Sequence, residues 1–134
     1  LSNQYFDVVY LDGDHSYKQV SRDLENGLQA LKTSGVICGD DLEIQADQID
    51  PSLLNIHSES GGGWSINPET SAGYHSGVTR AVAERIGVVS SWQGLWATIR
   101  SDNGWEILEL EGIEAPTLRP LMQYNNEGAR EIDF

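Results

Sequence analysis

The chain has 134 residues, 39% hydrophobic and 22% charged, a composition that fits one soluble globular domain with a modest core and excludes a disordered chain. Its 21 acidic and 8 basic side chains leave a net charge of −13, a field that repels phosphate backbones and anionic lipid surfaces and so sets nucleic-acid and membrane partners aside. There is no apolar run of the ~18 residues a membrane helix needs and no basic-then-apolar leader, and the single Cys38 cannot form an internal disulfide, which together point to a reducing, cytoplasmic setting.

In chain order, Phe6–Leu11 (Phe-Asp-Val-Val-Tyr-Leu) is a short, mostly apolar run ending in Asp-Gly-Asp-His. It reads as a strand buried on both faces of a parallel sheet. Such a strand belongs inside a larger sheet, and the chain opens Leu-Ser-Asn-Gln without Met, so the natural protein is expected to continue upstream. Ser16 to Lys32 carries Tyr17, Val20, Leu24, Leu28 and Leu31 three to four apart, one apolar stripe on a helix about 25 Å long. Gly27 should weaken that helix by ~1 kcal/mol relative to Ala. Gly35 closes it, and Val36–Cys38 reads as a second buried strand ending in Gly39-Asp40-Asp41. Strand, helix and strand form a unit whose crossover places the two strands side by side and parallel.

Residues 43–76 are polar, with Gly61-Gly62-Gly63, two prolines and no sustained period. A loop of this length inside a compact domain is functional or disordered. It holds His57, Trp64, Tyr74 and His75, and we read it as a substrate lid. Gly77–Ile86 then forms a short helix closed by Gly87, with Arg80 and Arg85 pairing with nearby acids at its surface. Val88–Trp92, Leu95–Arg100 and Trp105–Leu110 are three strand-like runs, the last two joined through the hairpin signal Asp102-Asn103-Gly104. The domain is placed at residues 1–112, and residues 113–134 read as an irregular tail.

Two acidic clusters stand at the ends of the two predicted neighbouring strands: Asp12-Gly13-Asp14-His15 and Asp40-Asp41. Ligands of open α/β sheets bind outside the carboxyl ends of the strands. Parallel neighbours lie about 4.8 Å apart, so these carboxylates can converge on one hard divalent cation such as Mg²⁺. Packed without one, they would repel each other. Asp14 can instead cap the helix that begins at Ser16. His15, three positions after Asp12, faces the same crevice and can accept a proton near neutral pH.

The stretch from Phe6 through Asp23-Leu24, then Leu31-Lys-Thr-Ser-Gly-Val-Ile-Cys-Gly-Asp-Asp41, and later Gly77-Val-Thr-Arg-Ala-Val82, resembles the class I S-adenosylmethionine-dependent methyltransferases. Within that class it is similar to the metal-dependent O-methyltransferases of the catechol and macrocin type. The resemblance covers residues 6–42 and 76 to about 100. It implies an α/β, Rossmann-like methyltransferase fold that is partial, with strands four to seven and their helices, the parallel strands followed by an antiparallel pair. It implies Asp12, Asp40 and Asp41 as ligands of Mg²⁺ or a similar divalent cation, and His15 as general base. The reaction implied is methyl transfer from S-adenosylmethionine to a small-molecule hydroxyl, a sugar or a phenol. Trp64, Tyr74 and His75 of the loop are candidates to line the acceptor pocket.

The family's Gly-rich turn and the acidic residue that holds the donor's ribose have no counterpart here. The main donor site is therefore expected outside these residues, and activity in a longer parent. Two rival readings stand beside this one. A truncated, non-catalytic acidic binding module would keep the scaffold without the chemistry. Asp12-Gly-Asp14 also resembles the Asp-x-Asp motif of haloacid-dehalogenase-like phosphatases, although only 25 residues separate Asp14 from Asp40 and one helix uses most of them. The outer edge of the first strand would be left unpaired, which predicts a homo-oligomer.

Overall fold

The computed structural model describes residues 4–61 and 63–108, and the backbone of 123–125 and 128–130. Its centre is a mixed sheet in the order β1 (Phe6–Leu11), β2 (Leu31–Leu42), β6 (Gly94–Ser101) and β5 (Ser90–Trp92), with β7 (Gly104–Ile107) also on β6. β1 and β2 run parallel, while β6 is antiparallel to β2, β5 and β7. Helices α1 (Tyr17–Ala30) and α3 (Ser76–Arg85) pack on each other and on this sheet. The expected fold class is therefore present: an α/β, partial Rossmann-like arrangement with a parallel pair followed by antiparallel strands.

The apolar stripe of α1 does what its spacing requires. Val20 and Leu24 enter one core with Leu31, Ile37, Leu42, Val78, Ala81, Val82, Val89 and Trp96. A Cβ on Gly27 would lie 3.0 Å from Val9 Cγ1, so the residue that weakens the helix also lets it settle closely on β1. The helix stops at Ala30, two residues earlier than expected. Leu31 already pairs with Phe6, and the extra residues 32–35 bulge out before the β1–β2 register resumes at Val8 and Val36.

β1 is not buried on both faces as expected. Phe6, Val8 and Tyr10 are 55%, 59% and 53% exposed, whereas Val9 and Leu11 pack against the core. The helices cover one side of a strand that forms the sheet's edge, so only alternate side chains are sheltered.

Residues 43–76 also depart from the expected loop. They hold a 3-10 turn (Ala46–Gln48), helix α2 (Pro51–Glu59) and a hairpin of β3 (Trp64–Ile66) and β4 (Gly73–His75). Asp50 caps α2 by accepting the Leu53 N–H at 3.0 Å, and Pro51 occupies the first turn, where its missing N–H costs nothing. Ile44, Ile49, Leu54 and Tyr74 form a second small core beneath this insert. Beyond it, the two-residue hairpin at Asp102-Asn103 joins β6 to β7 as the sequence indicates. Within the tail, β8 (Gln123–Asn125) pairs with β9 (Gly128–Arg130); the boundary at 112 lies outside the described residues. No helix among the described residues is long and apolar enough to cross a membrane.

Candidate functional site

The carboxyl ends of β1 and β2 open onto one cleft. Asp12, Asp14, His15, Asp40 and Asp41 line it, over Leu11, Val20, Val78 and Trp96. The β1–α1 turn is held by Asp14, whose Oδ1 accepts the Ser16 N–H at 2.7 Å. Hydrogen bonds from Ser16 hold the Asp14 carboxyl below its ordinary pKa. Asp14 thus closes a turn ahead of α1, whose N-cap is Ser16 without a side-chain cap hydrogen bond; the capping role open to Asp14 in the sequence is not the one it takes.

On β2 the geometry is set by a bulge. Gly39 pairs with Trp96 and Leu42 with Gly94, so Asp40 and Asp41 together face the single residue Leu95. Asp41 takes a left-handed backbone, φ 66°, a conformation Asp tolerates better than most residues. A bulge of this kind re-aims side chains at the end of a ladder. Asp40 Oδ1 accepts the Asp41 N–H at 2.9 Å. Asp41 meets His15, with Oδ2 and Nε2 2.7 Å apart.

His75 arrives from the hairpin. It ends β4 immediately before α3, and its Nδ1 lies 3.5 Å from Asp41 Oδ1 and 2.9 Å from Glu43 Oε1. Its backbone N–H also reaches Glu43 Oε2 at 3.0 Å. The two imidazoles sit 4.4 Å apart, and the Trp64 ring meets His75 edge-on at 4.8 Å. Gly77 makes this approach possible: a Cβ there would lie 2.2 Å from the His15 carbonyl oxygen and 2.5 Å from the Tyr17 nitrogen. α3 therefore abuts the β1–α1 turn backbone to backbone, carrying His75 toward His15.

The sequence-predicted residues separate accordingly. His15, Asp41 and His75 come together, with donor atoms within 4.8 Å of one another. Asp12 and Asp40 line the same cleft but lie outside that group. Trp64 is 54% exposed and touches the group only through its edge contact with His75. Tyr74 is fully buried, its hydroxyl 2.7 Å from His57 Nδ1, and belongs to the insert's core rather than to the cleft. Glu43 was not foreseen. It stands just past the end of β2 at Leu42, and its place beside His75 depends on where β4 ends, which no spacing in the sequence signals.

The cleft is strongly negative. Lost hydration, then the carboxylates of Asp12 and Asp40, push the Tyr10 hydroxyl above its ordinary pKa. Away from the cleft, Arg80 lies 4.1 Å over the Tyr17 ring and contacts Glu84 at 2.9 Å and Glu59 at 3.3 Å. Arg85 approaches Glu25 at 4.0 Å. Both arginines pair with acids, as their surface positions suggested.

Compared with known proteins, residues 1–42 match the family model described as a methyltransferase domain. That segment contains β1, α1 and β2, including both strand ends that open the cleft. No curated protein and no solved structure gives a significant match.

Proposed function

We propose that the chain is part of an S-adenosylmethionine-dependent methyltransferase that methylates a small-molecule hydroxyl at the cleft beyond β1 and β2. The observation that carries this reading is the coincidence of the methyltransferase-domain match at residues 1–42 with the strand ends that form the cleft. The donor supplies a methyl group on a cationic sulfonium. A cleft lined by carboxylates in a chain of net charge −13 suits a cation and stabilises it near the acceptor.

His15 is the general base of this proposal. With the proton on Nε2, it donates to Asp41 Oδ2 at 2.7 Å, and Nδ1 is left as the acceptor for the substrate hydroxyl proton. Asp41 fixes the tautomer and stabilises the imidazolium once the proton has moved. The oxygen then attacks the methyl carbon as the carbon–sulfur bond breaks, and the sulfonium becomes a neutral thioether. Trp64 and His75 offer ring faces and edges to a sugar or a phenol, so the β3–β4 hairpin is the acceptor-selecting element.

Mg²⁺ on Asp12, Asp40 and Asp41 is what the resemblance implies. The three line one cleft, while the donor atoms that gather within 4.8 Å belong to His15, Asp41 and His75. No step above depends on a metal. The reading is tested by methyl transfer from labelled donor in the full-length protein. Asp41→Asn, which removes the carboxylate that positions the base, should lower kcat by up to about 10⁴-fold. An unchanged kcat would remove the His15–Asp41 pair from the mechanism.

A further inference from the structure

Two imidazoles and a carboxylate from three separate parts of the chain meet at one point of the cleft. We infer that His15, Asp41 and His75 form a binding site for a first-row transition-metal ion such as Zn²⁺ or Co²⁺, with Glu43 beside His75 as a further carboxylate donor. His15 comes from the β1–α1 turn, Asp41 from the β2 bulge and His75 from the end of β4. Their nitrogen and oxygen donors already lie within 4.8 Å of one another.

The donor chemistry sets the class of ion. Imidazole suits Zn²⁺, Co²⁺, Ni²⁺ and Fe²⁺, whereas Mg²⁺ keeps to carboxylate, carbonyl and water. A two-His, one-carboxylate set leaves further coordination positions open. Glu43 Oε1, 2.9 Å from His75 Nδ1, meets the same ring nitrogen that faces Asp41, so when that nitrogen ligates, Glu43 gives up its hydrogen bond and stands beside the ion as a further carboxylate donor. The approach of the two histidines is built in rather than accidental, because only a residue without a side chain fits at Gly77.

The site does not depend on the methyl-transfer reading. If that reading also holds, the ion takes the His15 nitrogen that pairs with Asp41, so loading the site disables the base. The chain would then be inhibited by transition metals.

The test is titration of the full-length protein with Co²⁺, followed by visible d–d absorption and calorimetry, against Mg²⁺ in parallel. One Co²⁺ per chain should bind with imidazole-type bands, while Mg²⁺ fails to displace it. His75→Ala and His15→Ala should abolish the bands, Asp12→Ala should keep them, and Glu43→Gln should weaken Co²⁺ binding. Circular dichroism of each variant separates a lost site from a lost fold. Co²⁺ binding indifferent to His75→Ala, or only a Mg²⁺ site lost in Asp12→Ala, would overturn the inference. Because the bands report on ligation alone, a chain that binds Co²⁺ but, once freed of the ion, transfers no methyl group refutes the proposed function and leaves the metal site standing.

Discussion

At the scale of single residues, Asp41 is the pivot of the cleft. Its left-handed backbone and the two-against-one bulge at Asp40-Asp41 bring one carboxylate into contact with His15 and within 3.5 Å of His75. Gly77 does comparable work without a functional group. Gly77→Ala must push α3 off the β1–α1 turn, because its new carbon would sit 2.2 Å from a carbonyl oxygen. Overpacking of this kind costs about 1–3 kcal/mol, and a urea midpoint shifted by that amount is the expected readout; an unshifted midpoint would mean the helix has room to spare. Tyr74 illustrates the opposite case. Its hydroxyl partners His57 inside the insert, so Tyr74→Phe should lower stability by about 0.5–1.5 kcal/mol and leave acceptor KM unchanged. A raised KM would return Tyr74 to the pocket.

Among the elements, α1 and α3 are clamped at the surface by the Tyr17–Glu84–Arg80 group. Partial burial alone would raise the Glu84 carboxyl, but hydrogen bonds from Tyr17, at 2.5 Å, and Arg80 hold it below its ordinary value of 4.5. A carboxylate lowered in the folded state adds stability above its unfolded pKa, and that contribution fades as pH falls through the folded value. The melting temperature should therefore decline more steeply below about pH 4.5 in the native chain than in Glu84→Gln, whose titrating group is gone. Equal slopes would show the clamp adds nothing. The sequence announced β1, α1, the β6–β7 hairpin and α3 because each has a clean period or a specific turn. It hid the insert: α2 has nine residues and a weakly amphipathic face, although its start, Asp50-Pro51, is a readable cap. The strands β3 and β4 have only three residues each, too few for an alternation to register. The cleft was readable from Asp12, His15 and Asp41 at strand ends. The pairing of His75 with them was not, because it depends on a hairpin and on backbone contact at Gly77.

For the molecule as a whole, β1 is the decisive element. It is the terminal strand of the sheet order, and Phe6, Val8 and Tyr10 project from it more than half exposed. Exposed apolar strand edges favour pairing with another strand. We expect self-association of this chain through β1, seen as a dimer mass in size exclusion with light scattering. Val8→Lys should return it to monomer, and a monomer at high concentration in the unmodified chain would refute the expectation. The central claim concerns the cleft, and the most direct test is the release of S-adenosylhomocysteine from S-adenosylmethionine by the full-length protein offered sugar and phenol hydroxyls. The account predicts turnover with one such acceptor and a fall of about 10²–10⁴-fold in His15→Gln; no turnover with any hydroxyl, or turnover that His15→Gln leaves intact, would contradict it.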